Sequence, residues 1–310
     1  MTIDLPRARD FMTTHARILD QRRFALMFGG AAEAVLRALD AYRNPDGGYG
    51  SGLEPDLRSP ESQPAAAHHA FEAFQEAAVS AGGRASTLCD WLAGAALEDG
   101  GLPMALPVGV AAGTARWWIG ADPGTSSLQI TSVATAAALA VAARDPSVAN
   151  HPWLARSVGY CLAAIEALDA APPAYVLAFS LRLADALHPT RPADAERVRD
   201  QLSRYVPDSG AVPVAGGTEG ETLHLLDLSP TPGTPSRELF SGAAVARDLD
   251  RLAGLQRPDG GWEVDYASAS VAGALEWRGY ATVRAVRVLI VNGMVGDTVG
   301  TNAEHPWPGR

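Results

Sequence analysis

The sequence contains no lysine and little cysteine or aromatic residue. All 25 basic residues are arginines, against 35 acidic residues, and the net charge is -10. A protein that binds nucleic acid needs a basic face, so this balance argues against a nucleic-acid partner. The two cysteines, Cys89 and Cys161, are too few for a disulfide framework. Both lie in apolar, helix-like stretches, which is typical of inert buried thiols.

Long hydrophobic runs are also missing. The longest largely apolar run, 133–143, is mostly alanine and is too short to cross a bilayer. The first ten residues, MTIDLPRARD, carry acids and have no apolar core, unlike a secretory signal peptide. We therefore expect a cytoplasmic protein with no integral membrane segment.

What the chain has in quantity is material for a core. Hydrophobic residues make up 47% and charged residues 19% of the 310 positions. This composition is that of a folded globular protein. Repeats that share one core can form a single unit of this length, so we expect one domain spanning 1–310.

A turn motif recurs four times along the chain. It reads NPDGGY at 44–49, EDGGL at 98–102, PDSGA at 207–211 and RPDGGW at 257–262. Each copy follows a helix-like segment, at 31–42, 84–97, 193–205 and 237–255. Proline ends a helix, glycine accepts a positive φ, and aspartate bonds nearby backbone amides. The motif therefore predicts helix ends followed by tight turns.

Alanine-rich segments with helical period follow polar loops after these turns. They span 63–78, 129–143 and 277–291, and two further helices are predicted at 155–168 and 174–187. Strand patterns are nearly absent. The sequence predicts an all-α protein of about ten to twelve helices. The long loops 103–126 and 216–235 are of a length more often functional than idle.

Two of these segments resemble a known superfamily. Residues 255–262, LQRPDGGW, resemble the QW repeat of squalene–hopene cyclases. Residues 280–286, YATVRAV, are similar to the start of an inner helix in protein prenyltransferase β subunits. The resemblance implies an α/α toroid, a closed ring of helical hairpins around a central cavity. The proton-donating Asp-x-Asp-Asp motif, the Asp-rich magnesium motifs and the zinc-binding cysteine of these enzymes are absent; 248–251 (DLDR) comes closest to the first.

The resemblance also implies that the loop after each turn and the start of the next inner helix line the cavity. At 52–58 (GLEPDLR), Glu54 and Asp56 are the candidate catalytic acids, because two neighbouring carboxylates can hold a proton with a raised pKa. The candidate substrate-binding residues are Arg58, Gln63, His68, Trp117, Trp118, Asp122, Gln129, Tyr266, Glu276, Trp277 and Arg278. Other positions in these segments are Tyr49, His69, Arg116, His224, Asp227, Arg237, Glu238, Trp262 and Asp265.

These residue types suit carbocation chemistry on an isoprenoid or another hydrophobic small molecule. Aromatic faces stabilise carbocations, while Arg58 and Arg278 would hold an anionic head. Trp262 occupies the repeat position that pins outer helices together. Adjacent helical residues point about 100° apart, so His68 and His69 are not expected to share one metal. No protein-held metal is predicted, and Mg²⁺ is expected only with a diphosphate substrate.

Two alternatives remain open. The first is a carbohydrate-active α/α-barrel enzyme, with Glu54, Asp56, Asp122 and Glu276 working beside tryptophan platforms. The second is a non-catalytic binding module. A deep apolar cavity would favour the isoprenoid enzyme, a shallow polar one the sugar enzyme, and a filled one the binding module.

Overall fold

The computed structural model describes residues 3–78 and 81–295, so the ends of the predicted unit 1–310 lie outside the described residues. The described part is mostly helical, which confirms the all-α prediction. One 3₁₀ turn spans Pro235–Leu239. Two short strands, β1 (Val212–Pro213) and β2 (Thr222–Leu223), pair antiparallel with Val212 opposite Leu223. The α-helices are α1 (Leu5–His15), α2 (Ile18–Leu26), α3 (Ala32–Asp40), α4 (Pro64–Ala77), α5 (Arg84–Ala95), α6 (Arg116–Ile119), α7 (Leu128–Ala142), α8 (Pro146–Ala149), α9 (Pro152–Glu166), α10 (Ala174–Leu187), α11 (Pro192–Ser203), α12 (Leu225–Leu228), α13 (Gly242–Gly254) and α14 (Val271–Val291).

The predicted helix bounds hold to within a few residues, with two exceptions. Helix α13 begins at Gly242 and not at 237, because the Ser241 hydroxyl caps the amide of Ala244 and starts the helix there. Helix α14 begins six residues before the predicted 277, where Ser270 caps the amide of Gly273. Helices α1 and α2, which lack the recurring turn, were not predicted from the sequence.

The recurring turns have the predicted chemistry. In the three Asp-Gly-Gly copies, Oδ1 of the aspartate accepts a hydrogen bond from the amide of the second glycine, at 3.0 Å for Asp46, 2.9 Å for Asp99 and 3.1 Å for Asp259. The first glycine of each copy has a φ of 90–95°. This is the left-handed region, which glycine enters without steric cost. Each turn therefore reverses the chain directly after a helix.

Each turn also contacts a helix from another part of the sequence. The turn at 44–49 packs on α5 and the turn at 98–102 packs on α9. The last turn packs on α1, where a methyl group on Gly260 would overlap the backbone oxygen of Arg7. Beside it, the Gln256 side chain accepts from the amide of Asp4 at 2.7 Å and donates to its carbonyl at 2.8 Å. The first and last helical segments are thus joined directly.

The alanine-rich helices contact one another in succession. Helix α2 packs on α4, α4 on α7, α7 on α10, and α14 returns to α2, while α12 contacts both α10 and α13. The other long helices flank these: α3 lies on α2 and α4, α5 on α4, α9 on α7, α11 on α10, and α1 on α14. Helices α4 and α7 are buried on most faces, because their alanines allow neighbouring helices to approach closely.

Two details of this packing bear on the predictions. Trp262 is buried and donates Nε1 to the carbonyl of Leu252 in α13 at 2.8 Å, which fits the structural role expected of it. Within the described ranges, every helix is either too short or too polar to cross a membrane.

The close approach at Gly260 is testable by substitution. Gly260→Ala combines a positive φ, which costs a residue with a Cβ about 1–2 kcal/mol, with an overlap against Arg7 that adds about 1–3 kcal/mol. Gly216→Ala is the matched control, because Gly216 also has a positive φ but has open space around it. Urea unfolding should show a larger loss of stability for Gly260→Ala. Equal losses in the two variants would contradict the packing of the last turn on α1.

Candidate functional site

A cavity of about 350 Å³ lies between α2, α4, α7, α10 and α14 and the segment 230–234. Its rim includes the exposed residues Thr231 and Val291, so it communicates with solvent at that end. The volume is at the lower end of the range for small-molecule sites. Its lining differs sharply from one wall to the next.

One wall is charged, because charged residues recur at helical spacing inside helices that are otherwise apolar. On α4, His68, Glu72 and Glu76 are four residues apart and share one face. On α14, Tyr280 and Arg284 have the same spacing and also line the cavity. Arg23 of α2, Arg182 and Asp185 of α10, and Arg287 of α14 complete the charged lining.

A second part of the lining is apolar. Helix α7 contributes residues at three- and four-residue spacing that carry only methyl or isopropyl groups. Further valines come from α14. These apolar lining residues are Val133, Ala136, Ala137, Ala140, Val283, Val288 and Val291. The cavity is therefore two-sided in its chemistry, with charged and apolar lining residues, and α14 contributes to both.

A chain of hydrogen bonds runs from the charged wall into the protein. His68 Nε2 lies 3.1 Å from Glu72 Oε1, and His69 Nδ1 lies 3.3 Å from Glu72 Oε2. The other nitrogen of His69, Nε2, lies 2.9 Å from Glu54 Oε2. The Tyr280 hydroxyl donates to Glu72 at 3.0 and 3.1 Å. Glu72 thus links two imidazoles and a phenol.

The expectation that His68 and His69 diverge is wrong. Their ring centroids are 4.5 Å apart. The physical reason is Glu72, one turn further along α4, whose two carboxylate oxygens contact one ring each. Because Glu72 follows His68 by four residues and His69 by three, its carboxylate contacts both rings, which helix geometry alone would direct apart.

Burial and hydrogen bonding shift the ionisation of this chain in opposite directions. Burial alone would lower the pKa of His69, but hydrogen bonds to Glu54 and Glu72 raise it to about 9. Burial lowers the pKa of His68, and the Glu72 charge only partly offsets this. Burial would raise the pKa of Glu72, but both imidazoles hold it well below its usual range. His69 is therefore an imidazolium between two carboxylates at neutral pH.

The buried arginines of the charged wall are mostly paired. Arg23 makes two hydrogen bonds to Glu76, at 2.6 and 2.7 Å, and a third at 3.3 Å to Asp20. Arg287 reaches Glu76 at 2.8 Å. A buried charge without a partner costs several kcal/mol, so these pairs permit the arginines to lie here.

Arg182 is different. Its Nε and Nη2 donate to the backbone carbonyl of Asp227, at 3.2 and 3.0 Å, and the Asp227 carboxylate pairs with Arg284 at 2.6 Å. Within the described part of the chain, Arg182 has no carboxylate within 4.0 Å. Burial and the neighbouring Arg284 lower its pKa. The cavity therefore contains a guanidinium that is hydrogen-bonded to a backbone carbonyl and not to a carboxylate, with Glu72 and Asp227 acting on its charge at longer range.

The two predicted catalytic acids occupy different surroundings. Glu54 contacts His69 but lies behind the cavity lining. Asp56 accepts three hydrogen bonds: from Ser268 Oγ at 2.5 Å, the Ala269 amide at 2.9 Å and Trp277 Nε1 at 2.7 Å. These partners hold the segment before α14 against the loop at 52–58.

The predicted anion-binding arginines are paired with acids. Arg58 contacts Glu276 at 2.6 Å, and Arg278 contacts Asp259 at 2.8 Å. Gln63 bonds both backbone groups of Leu106. Arg58 lies in the loop before α4, Gln63 directly precedes α4, and Arg278 lies in α14 two residues before Tyr280, but none of the three lines the cavity.

The remaining candidates are dispersed. Trp117 is 51% exposed, while Trp118 beside it is buried. Asp122 accepts from Gly124 and Thr125 within its own loop. A fourth, Gln129, is half-buried on the first turn of α7. Tyr266 packs edge-on against Trp277, with ring centroids 5.5 Å apart. Of the predicted substrate-binding residues, His68 lines the cavity.

Sequence reasoning did not single out the other charged lining residues. They are Arg23, Glu72, Glu76, Arg182, Asp185, Arg284 and Arg287. The sequence does contain a pattern that indicates them. Ionisable residues recur at every fourth position in helices that are predicted to be internal, and such residues must face either a charged partner or a cavity.

The chain matches no model of a known protein family, and no curated protein is similar to it. Assignment therefore depends on the geometry of the site.

The hydrogen bonds of Asp56 predict the effect of Asp56→Asn. The amide can accept on one side only, so either Trp277 or the Ser268–Ala269 pair loses its acceptor, at a cost of about 1–3 kcal/mol. Hydrogen exchange should accelerate at the Ala269 amide or at the Trp277 indole N–H, whichever loses its acceptor. Asp122→Asn, in an exposed loop, should change stability by less than about 0.5 kcal/mol. Unchanged exchange at both groups would contradict a bracing role for Asp56.

The environment of His69 predicts an unusual titration. A folded-state pKa of about 9 against an unfolded value near 6.5 stabilises the protein fully below the unfolded value. That stabilisation, on the order of 3 kcal/mol, is lost as pH rises through the folded pKa. NMR of labelled imidazoles should show His69 charged at neutral pH, and Glu54→Gln should lower its pKa. Asp90→Asn, which alters only the His151 pair, should leave His69 unchanged. A His69 pKa at or below the ordinary value would refute this arrangement.

Proposed function

We propose that the chain folds as a ring of six helical hairpins, an α/α toroid forming one domain. Two observations support this. The contacts between α2, α4, α7, α10, α12, α13 and α14 run in sequence and return to α2. The last Asp-Gly-Gly turn also packs on α1 as the earlier turns pack on α5 and α9.

We further propose that the protein is a prenyltransferase-like or terpene-cyclase-like enzyme whose substrate has an apolar body and an anionic head. The two-sided cavity is the observation that carries this proposal. An isoprenoid chain matches the valines and alanines of α7 and α14, and a diphosphate matches the guanidinium of Arg182. A substrate without an anionic head would leave the charged lining without a partner, and a substrate without an apolar body would leave the apolar lining uncovered.

The charged wall suits departure of a diphosphate. When the carbon–oxygen bond of a prenyl diphosphate breaks, its electron pair stays on the leaving oxygen, and negative charge grows there. Arg182, with Arg284 beside it, is placed to stabilise that charge by charge-assisted hydrogen bonds. Mg²⁺ would enter with the diphosphate, because Glu76 is occupied by arginines and Asp185 by Ser236.

An acid-initiated route has less support from the geometry. Asp56 is saturated with hydrogen bonds and Glu54 lies behind the lining, so neither carboxyl group faces the cavity. The diphosphate-dependent route needs only groups that line it.

A carbohydrate-active enzyme is the second candidate. It is favoured by the polar character of the charged wall, where Glu72 and Glu76 face the cavity. The tryptophans that would form sugar platforms contribute nothing to the lining: Trp277 donates to Asp56 and Trp117 faces solvent. The apolar wall of α7 also gives a sugar no hydrogen-bond partners.

Calorimetric titration with farnesyl and geranylgeranyl diphosphates, with and without magnesium, tests the first proposal. Arg182→Gln should weaken binding about 10- to 100-fold through loss of a charge-assisted contact. Arg58→Gln is the matched control, because it removes an equal charge outside the cavity, and it should leave affinity unchanged.

Products are then identified by mass spectrometry. Loss of diphosphate from the prenyl substrate would establish the enzyme, whereas binding without turnover would establish a binding module. Failure of every prenyl diphosphate to bind, together with stabilisation of the fold by oligosaccharides, would replace the isoprenoid proposal with the carbohydrate one.

A further inference from the structure

Three potential metal ligands converge where α4 faces the cavity. One ligand atom each from His68, His69 and Glu72 can be chosen so that all three lie within 4.8 Å of one another. His68 and Glu72 line the cavity, and His69 is 3% exposed behind them. Among the described residues this is the one group of three or more such side chains.

The spacing of these atoms suits a small divalent cation. In a tetrahedral site with metal–ligand distances near 2.1 Å, ligand atoms lie about 3.3–3.5 Å apart. His68 Nε2 lies 3.1 Å from Glu72 Oε1 and His69 Nδ1 lies 3.3 Å from Glu72 Oε2, so each imidazole is about one such edge away from an oxygen of the same carboxylate. Two histidines and one carboxylate are a set that binds zinc and leaves a fourth position open.

The proposed ligands have the kind of hydrogen-bond partners that orient ligands in known metal sites. A metal-bound histidine usually donates its second ring N–H to a carboxylate, which fixes the ring and raises its basicity. His69 Nε2 makes this contact with Glu54 Oε2 at 2.9 Å. Glu72 is held by the Tyr280 hydroxyl, which would orient it in the same way. The ligand set is thus supported on two sides.

Nearby carboxylates can neutralise the charge of a divalent ion at this position. Glu54 and Glu72 supply two negative charges, and Arg23 is engaged mainly by Glu76 and Asp20. Among the described arginines of the cavity lining, Arg182 of α10 is the one without a carboxylate within 4.0 Å. It opposes a bare cation, and a metal at this position together with Arg182 would favour an anion between them.

We propose that His68, His69 and Glu72 bind one divalent first-row transition metal, with Glu54 as a positioning residue and an open coordination position toward the cavity. This site is independent of the proposed isoprenoid activity, since it is defined by the ligands alone. It differs from magnesium entering with a diphosphate, because histidine ligands select softer ions than oxygen ligands do.

The test uses Zn²⁺ or Co²⁺ alone, added to the full chain at about pH 8, where the metal must displace the proton that His69 holds, so that affinity should rise with pH. We expect binding of one equivalent by calorimetry, and the visible spectrum of tetrahedral Co²⁺. His68→Gln should weaken binding at least about 100-fold, and Glu54→Gln about 10-fold or more. His151→Gln removes a histidine paired with Asp90 elsewhere and should change nothing.

Arg182→Gln separates a metal site from a merely structural cluster. Removing the opposing charge should tighten Zn²⁺ binding about 10-fold, with far-UV circular dichroism confirming that each variant is folded. Binding that is absent, or that survives His68→Gln, would overturn the proposal, as would weaker binding in Arg182→Gln. No prenyl ligand is present, so these outcomes are separate from those of the diphosphate titrations.

Discussion

The carboxylate of Glu72 is the contact on which the candidate site depends. It lies inside an alanine-rich helix, where an unpaired charge would destabilise the fold by several kcal/mol. Two imidazoles, a tyrosine hydroxyl and a nearby arginine compensate it. Through these partners one side chain connects α4 to α2 and α14. The same contacts fix the positions of both histidines, so the chemistry and the packing of this region cannot be altered separately.

The helices and turns were accessible from the sequence because their causes are local. Asp-Gly-Gly requires a turn wherever it occurs, and α10 follows its apolar period from end to end. The start of α14 was placed too late, since its cap, Ser270, follows a loop without a turn motif. Helices α1 and α2 lack that motif altogether, and α1 is held by contacts with Gly260 and Gln256, more than 240 residues away.

The location of the site was less predictable, because it depends on which parts of helices that are distant in sequence come together in the fold. Sequence reasoning favoured the loops that lead into the inner helices, where polar residues are dense. In the structure those residues satisfy one another: Arg58 pairs with Glu276, and Asp56 holds Trp277 and Ser268. The cavity lies further along the same helices. The cavity is recognisable by single charged residues such as Arg182 and Glu76. Their partners are far away in the chain, so the sequence alone does not show that they meet.

The pairing of Gln256 with Asp4 has a consequence for how the protein is made. During synthesis, the packing partners of α1 at 256–262 are translated some 250 residues after α1 itself. At roughly 5–20 residues per second this interval is on the order of 10–50 s. Throughout it, the buried face of α1, which includes Phe11 and Met12, has no native cover from the last turn. The buried face of α1 therefore lacks this part of its native cover until residues 256–262 have been made, so α1 completes its packing only after the last turn is synthesised.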